Sequence, residues 1–187
     1  MKQGIGVRTQ IVSTFAEWTA LSALRLAPIR SRKDVYTALR TADFTSLFNV
    51  GRGPIKAREF DEWHHATIDH LIAGEERLNY GWAAKILNVY LKTRAYIAAE
   101  GREGLSAVIH PPIDGGLWDG LERQFAHRPD ILQKSNCVRR IKDIDDYECY
   151  SRIIDGCRLA AAEVGCSLIE VEQFWTGTEI KEVMEAE

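Results

Sequence analysis

The sequence lacks the features that mark membrane and secreted proteins. No stretch approaches the roughly 20 consecutive apolar residues that a membrane-spanning helix needs. The first ten residues, MKQGIGVRTQ, contain no apolar segment typical of a signal peptide. We therefore expect a cytoplasmic protein without a membrane partner.

The sequence also lacks closely spaced cysteines. Its four cysteines all fall in the last third of the chain, and no two of them form a Cys-x-x-Cys motif. This spacing argues against a zinc ribbon, a thioredoxin-type site and an iron–sulfur cluster. We expect no cofactor and four reduced thiols in the core: Cys137, Cys149, Cys157 and Cys166.

An excess of positive charge is missing as well. With 24 lysines and arginines against 27 aspartates and glutamates, the formal net charge is -3. The field of the whole molecule therefore gives no reason to expect a polyanionic partner. Binding to nucleic acid would require a local patch, and three basic groups are either such patches or simply solvated faces. They are Arg25, Arg30, Arg32 and Lys33; Arg52, Lys56 and Arg58; and Lys134, Arg139, Arg140 and Lys142.

Helical periodicity is the main feature that is present. At 187 residues, of which 45% are hydrophobic and 27% charged, the chain fits one folded domain, residues 1–187, with a substantial core. Apolar residues recur at steps of three and four along its length, whereas the alternating runs of strands are scarce. We predict an all-α protein with a single compact multi-helix domain.

Capping residues and helix breakers divide the chain into about seven helices. The second begins at Ser31-Arg-Lys-Asp34, which has the form of a capping box, and runs to Phe48. The first spans residues 7–26, with a core-facing side formed by Ile11, Phe15, Trp18, Leu21, Leu24 and Leu26. The third follows Pro54, ends at Gly74 and carries an apolar stripe of Phe60, Trp63, His64, Thr67, Ile68, Leu71 and Ile72.

The second half of the chain continues this pattern. Asn79 is the predicted N-cap of a fourth helix that runs to about residue 99. Residues 101–112, GREGLSAVIHPP, are predicted to be irregular because two prolines forbid a continued helix. Asp114 caps the next helix. The next helix is predicted to begin at Asp145 or Asp146 and to end at Val164. The last is predicted to run from Ser167 to Trp175.

A lysine interrupts the apolar fourth helix. Lys85 lies about one turn into the segment YGWAAKILNVYLK, and a partly desolvated lysine is a useful nucleophile for imine chemistry. A helix, a reversal and a new helix at Asp114 make an antiparallel pair, which can return Asp114 to the level of Lys85. The alternative is a lysine that reaches solvent and an aspartate that only caps a helix.

The lysine and the aspartate belong to a longer pattern. It comprises Gly81-Trp-Ala-Ala-Lys85-Ile-Leu-Asn88 followed by Pro112-Ile-Asp114, within residues 78–125. This pattern resembles the core of the helix-hairpin-helix DNA glycosylase superfamily, and the long step between lysine and aspartate is similar to the archaeal 8-oxoguanine DNA glycosylase branch. The resemblance implies a helix-hairpin-helix glycosylase-like fold and a DNA repair enzyme that removes a damaged base.

The resemblance implies a role for individual residues. Lys85 is the expected Schiff-base nucleophile and Asp114 the supporting carboxylate, in a DNA glycosylase that also acts as a lyase. A flipped-out base must be stacked and recognised at its edge, and the residues expected to bind it are Trp82, Asn88, Lys92, His110 and Trp118. Contacts to the DNA backbone are expected from Gly81, Arg52, Lys56 and Arg58.

Two other functions fit parts of the sequence. Asp61, His65 and Asp69 follow one another at steps of four, so they share a helix face to which His110 could add a fourth metal ligand. A helical metal-dependent phosphohydrolase is therefore one alternative. A non-enzymatic helical module that binds nucleic acid or protein through the basic groups is the other. The sequence leaves the oligomeric state open.

Overall fold

A computed structural model describes residues 6–177. In this range the regular structure is entirely helical, which confirms the all-α prediction. The α-helices are α1 (Val7–Ser22), α2 (Arg32–Thr41), α3 (Thr45–Phe48), α4 (Ala57–Gly74), α5 (Tyr80–Leu91), α6 (Leu105–Val108), α7 (Gly115–Gln124), α8 (Pro129–Ser135) and α9 (Tyr147–Val164). Other helical segments are the 3-10 turns Val50–Arg52, Ile141–Asp143 and Leu168–Phe174, and the π-helical stretch Lys92–Ile97.

Helix α5 lies at the centre of the molecule. Ten of its twelve residues are buried, and α1, α4, α9 and the turn Ile141–Asp143 all pack against it. The buried apolar side chains form one continuous core, so the described residues make a single compact domain. None of the helices in residues 6–177 is long and apolar enough to cross a membrane.

The helix starts that were predicted from capping residues are confirmed. At α2, α5, α7 and α9 a side-chain oxygen accepts a backbone N–H of the first turn, which satisfies a donor that has no partner within the helix. At the last 3-10 turn the Glu170 carboxylate accepts the N–H and the hydroxyl of Ser167. The capping residues are Ser31 for α2, Asn79 for α5, Asp114 for α7, Asp146 for α9, and Ser167 in a capping box at the last 3-10 turn.

The face predicted for the first helix is wrong for four of its six residues; of the other two, Leu24 is buried and Leu21 packs against the core. Helix α1 ends at Ser22, and its two buried residues are Ala16 and Ala20. Small side chains allow α1 to lie close against the apolar surface of α5, so the larger side chains point outward. The exposed fractions are 64% for Ile11, 50% for Phe15 and 63% for Trp18, and Leu26 in the following turn is 87% exposed.

Other boundaries differ from the prediction. The second predicted helix breaks after Thr41, where an extended Ala42 separates α2 from α3. The short helix α8, which opens on Pro129, was not predicted. Of the four cysteines, which are all free thiols, only Cys157 is fully buried, so the prediction of core thiols is confirmed for that residue alone.

Candidate functional site

The side chains of Lys85 and Asp114 meet in the structure. Lys85 Nζ donates a hydrogen bond to Asp114 Oδ2 over 3.0 Å. The two side chains are 16% and 20% exposed. The pair is therefore shielded from bulk water on most sides but remains accessible from one.

The path of the chain between α5 and α7 explains this meeting. After the π-helical stretch, the buried segment Ile109–Ile113 carries the chain back through the core toward the first half of α5. Asp114 is extended, with φ −158° and ψ −178°, which is the conformation of an N-cap residue. The reversal that the paired prolines predicted thus delivers a carboxylate to the side of α5 on which Lys85 lies.

Asp114 accepts hydrogen bonds from three donors. Besides Lys85, the backbone N–H of Leu117 donates to Oδ1 over 3.2 Å and the indole N–H of Trp175 donates to Oδ1 over 2.8 Å. The start of α7 adds the positive end of the helix dipole. One carboxylate oxygen therefore fixes the helix and the tryptophan, and the other is directed at the lysine amine.

The pair lies in the wall of a cleft of about 570 Å³. This volume is within the range of sites for small ligands, roughly 300–1,000 Å³. Two basic side chains, Arg25 and Lys85, and two tryptophans, Trp82 and Trp175, face the cleft. The remaining lining residues are Ser22, Ala23, Leu26, Asp114, Gly115, Gly116 and Ile141.

Trp175 is a site residue that the sequence analysis missed. Its ring lies on Gly116, where an added Cβ would come within 2.6 Å of the indole nitrogen. The next residue, Thr176, hydrogen-bonds the Gly116 carbonyl oxygen through both its N–H and its hydroxyl. Gly116, two residues after the N-cap, was the available signal, because a glycine there leaves room for a bulky neighbour.

The structure corrects three of the predicted base-binding residues, which it places in the interior rather than on the cleft. Asn88 and His110 are 0% and 2% exposed, and both belong to a hydrogen-bonded network in the core. Trp118 is 1% exposed and donates its indole N–H to the Ser135 carbonyl oxygen. All three stabilise the core and do not reach the space beside Lys85.

Lys92 and Gly81 are corrected as well. Lys92 forms a 2.6 Å ion pair with Glu172 and lines a different groove on the surface. Gly81 is buried, and its N–H donates to the Ile144 carbonyl oxygen over 3.0 Å. A side chain at Gly81 would collide with the Ile141 carbonyl oxygen. Gly81 therefore permits close packing and offers no N–H to a phosphate.

The buried network runs from α4 to α9 through α5. Asn88 accepts from His64 Nε2 over 2.8 Å and donates to Tyr150 over 2.9 Å; Tyr150 in turn lies 3.0 Å from His110 Nδ1. His110 Nε2 then reaches Asp61, which Arg158 also binds through both carboxylate oxygens. Burial lowers the pKa of both histidines and raises the pKa of Tyr150. Both imidazoles are neutral at neutral pH.

The metal site proposed on α4 is not formed. His65 lies 3.5 Å from Asp69, but Asp61 is turned toward His110 and Arg158. Among residues 6–177 no group of three or more histidine, cysteine, aspartate or glutamate side chains is arranged to hold a metal ion. The prediction of a phosphohydrolase site at Asp61, His65 and Asp69 is therefore wrong.

The basic residues predicted at the DNA backbone are exposed but do not line the cleft. Arg52, Lys56 and Arg58 lie in and after the turn Val50–Arg52 and at the start of α4. Arg58 pairs with Glu62 over 2.9 Å. The cation that joins Lys85 at the cleft is Arg25, from the first basic group.

Comparison of the chain with models of protein families, with curated proteins and with solved structures finds no match.

Proposed function

We propose that this protein is a base-excision DNA glycosylase with lyase activity, in which Lys85 is the nucleophile and Asp114 its proton acceptor. The observation that carries the proposal is the 3.0 Å hydrogen bond between Lys85 Nζ and Asp114 Oδ2 in the wall of the cleft. The same lysine and aspartate, in this order along the chain, carry the resemblance to helix-hairpin-helix glycosylases.

The arrangement supplies the proton transfer that such a reaction needs. Lys85 must lose a proton before its nitrogen can attack C1′ of the nucleotide, and Asp114 Oδ2 lies within hydrogen-bond reach to take it. The C1′–base bond breaks as the C–N bond to Lys85 forms, and the departing base carries the proton away. Opening of the sugar then leaves a Schiff base on Lys85, from which elimination cleaves the strand.

The cleft also supplies recognition of a flipped-out nucleotide. Trp175, which is 43% exposed, offers an aromatic face on which a base can stack, and stacking contributes about 1–3 kcal/mol per base in single-strand binders. Trp82, predicted to bind the base, is only 7% exposed and reaches the cleft with an edge of its ring. Arg25 and the first N–H groups of α7, at Gly115 and Gly116, are donors suited to a phosphate oxygen. Aromatic, cationic and nucleophilic groups therefore share one opening.

Borohydride trapping tests this proposal. The full chain is incubated with duplex DNA that contains an abasic site or an oxidised purine, and borohydride reduces any Schiff base to a stable covalent adduct. We expect an adduct with the wild-type protein and none with Lys85→Ala. With Asp114→Asn the adduct should form at least about tenfold more slowly, because the amide keeps an oxygen for the helix cap but cannot accept the lysine proton.

Lys92→Ala is the matched control. It removes a lysine of the same polypeptide segment that forms an ion pair with Glu172 away from the cleft. Adduct formation should be unchanged in this variant. If no DNA substrate yields an adduct with the wild-type protein, or if Lys85→Ala is trapped as well as the wild type, the proposal is wrong.

A further inference from the structure

Helix α1 presents a continuous apolar stripe to solvent. Four large apolar side chains on it are at least half exposed: Val7 at 73%, Ile11 at 64%, Phe15 at 50% and Trp18 at 63%. Phe15 and Trp18 are in contact, with ring centroids 5.7 Å apart. Single exposed apolar residues are ordinary, whereas a contiguous group of this kind marks an interaction surface.

The composition of the stripe fits a helix partner. Val7, Ile11, Thr14 and Trp18 follow at steps of four, three and four, which is the spacing of a seam between two packed helices. Phe15 flanks the seam. Helix α1 contains two charged residues, Arg8 and Glu17. Glu17 faces inward to Tyr36 and Arg40, so Arg8 is the single charge on the exposed side of the helix.

We infer that this stripe is a homodimer interface, in which α1 pairs antiparallel with α1 of a second copy. A two-fold axis between residues 12 and 13 sets Val7 opposite Trp18 of the other copy and Ile11 opposite Thr14. Each of these pairs combines a larger side chain with a smaller one, so the apolar stripe of one copy fits the same stripe of the other.

Charge selects the antiparallel arrangement. In a parallel pair the two Arg8 side chains would lie side by side, and the two helix dipoles would point the same way. In the antiparallel pair the two Arg8 side chains lie at opposite ends of the seam, and the two helix dipoles point in opposite directions. The inference does not depend on the proposed enzymatic function.

The area is sufficient for a weak dimer. The four large side chains expose on the order of 500 Å² per copy, since aromatic side chains each carry about 150–250 Å². A pair therefore buries about 1,000 Å², which is at the lower limit for a specific interface. We expect a dimer with a dissociation constant in the micromolar range rather than an obligate one.

Sedimentation equilibrium of the full chain tests the inference. A monomer–dimer equilibrium is expected for the wild type, and Val7→Glu or Trp18→Lys should weaken association by at least about tenfold, because each places a charge in an apolar contact. Val50→Glu is the matched control, since Val50 is 74% exposed on a different element. It should leave association unchanged.

The two variants also test the geometry. When Val7→Glu and Trp18→Lys proteins are mixed, the antiparallel pair brings the two substituted side chains together as opposite charges, so association should be stronger than for either variant alone. A parallel pair would keep them apart. A wild-type protein that is monomeric at every concentration, a mixture that shows no recovery, or a dimer that forms only after removal of residues 178–187 would overturn the inference.

Discussion

At the scale of single residues, the two oxygens of Asp114 have separate roles. Oδ1 accepts from Leu117 and Trp175 and so holds the carboxylate in place, whereas Oδ2 accepts from Lys85. A capping aspartate near a lysine could be recognised from the sequence, because caps and prolines are local signals. Trp175 could not, because Gly116 indicates room for a bulky neighbour but nothing in the sequence specifies that a residue 61 positions after Asp114 fills it.

The indole N–H of Trp175 positions Asp114, and its removal should slow the proposed reaction. Trp175→Phe keeps an aromatic ring on Gly116 but removes the donor to Oδ1. One lost hydrogen bond of about 0.5–1.5 kcal/mol corresponds to a roughly 2- to 10-fold slower formation of the trapped adduct. Affinity for the abasic DNA, measured by fluorescence anisotropy, should change less than the rate. Equal losses in affinity and rate would instead assign Trp175 to binding alone.

Polar residues in the interior show where reasoning from single residues fails. Asn88 and His110 occupy positions in the sequence that suit a substrate-binding residue, yet both lie in the core. Their partners, Tyr150 and Asp61, come from distant segments of the chain. In the sequence, a buried polar residue that is fully hydrogen-bonded cannot be distinguished from one that faces a substrate. Only the tertiary contacts distinguish them.

At the scale of the elements, Gly81 controls how closely α5 approaches the turn Ile141–Asp143. Gly81→Ala should destabilise the protein by about 2–4 kcal/mol, because the added methyl group collides with the backbone at Ile141 and the side chain of Ile144. Gly115→Ala is the control, since an added Cβ there meets no atom within 4 Å. Urea unfolding followed by circular dichroism measures both. Equal stability of the two variants would contradict the role assigned to Gly81.

Asp146, and not its neighbour, should stabilise α9. The sequence left the two aspartates equivalent, whereas in the structure the Asp146 side chain accepts the N–H of Cys149 over 2.8 Å. Asp146→Ala should lower the free energy of unfolding by about 1 kcal/mol through loss of the cap. Asp145→Ala, which removes an exposed carboxylate one residue earlier, should change it by less than about 0.5 kcal/mol. If Asp145→Ala lowers the free energy of unfolding more than Asp146→Ala does, Asp146 is not the residue that caps α9.

Helix starts were predictable from the sequence, but the orientation of α1 was not. Ser31, Asn79, Asp114 and Ser167 cap the helices assigned to them because a cap depends on residues only three positions apart. The buried side of α1 depends instead on what α5 presents to it. The apolar surface of α5 packs closely against the small side chains of α1. The face of α1 that carries the large apolar side chains is then free to contact a partner outside the domain.

At the scale of the whole molecule, the buried network joins four parts of the fold. It links α4 through His64, α5 through Asn88, the connection before α7 through His110 and α9 through Tyr150. His64 Nε2 donates to Asn88, whereas its buried Nδ1 has no partner. His110 uses both ring nitrogens, because Nδ1 accepts from Tyr150 and Nε2 donates to Asp61. Protonation of His110 therefore removes the acceptor for Tyr150, and protonation of His64 leaves a buried N–H without an acceptor.

The network should make the protein unstable at mildly acidic pH. Burial lowers the folded-state pKa of His64 and His110 below 6.5, the value they regain on unfolding. As the pH falls below about 6.5, the unfolded chain binds protons that the folded chain excludes, so the free energy of unfolding decreases. Burial raises the pKa of Asp61, but the hydrogen bond from His110 and the charge of Arg158 lower it below 3.8 overall. Its own contribution is lost only in stronger acid.

His64→Phe should reduce this pH dependence. Denaturant unfolding between about pH 7.5 and 5.5 gives the slope of stability with pH, to which one buried neutral histidine contributes up to about 1.4 kcal/mol per pH unit. The variant will be less stable at every pH, because Asn88 loses its donor, but its slope should be shallower by the equivalent of up to one proton. Gly81→Ala is the control for the loss of stability itself: it leaves both buried histidines in place, so it should keep the wild-type slope. An unchanged slope in His64→Phe would mean that the imidazole binds protons equally in the folded and the unfolded protein, in conflict with its complete burial.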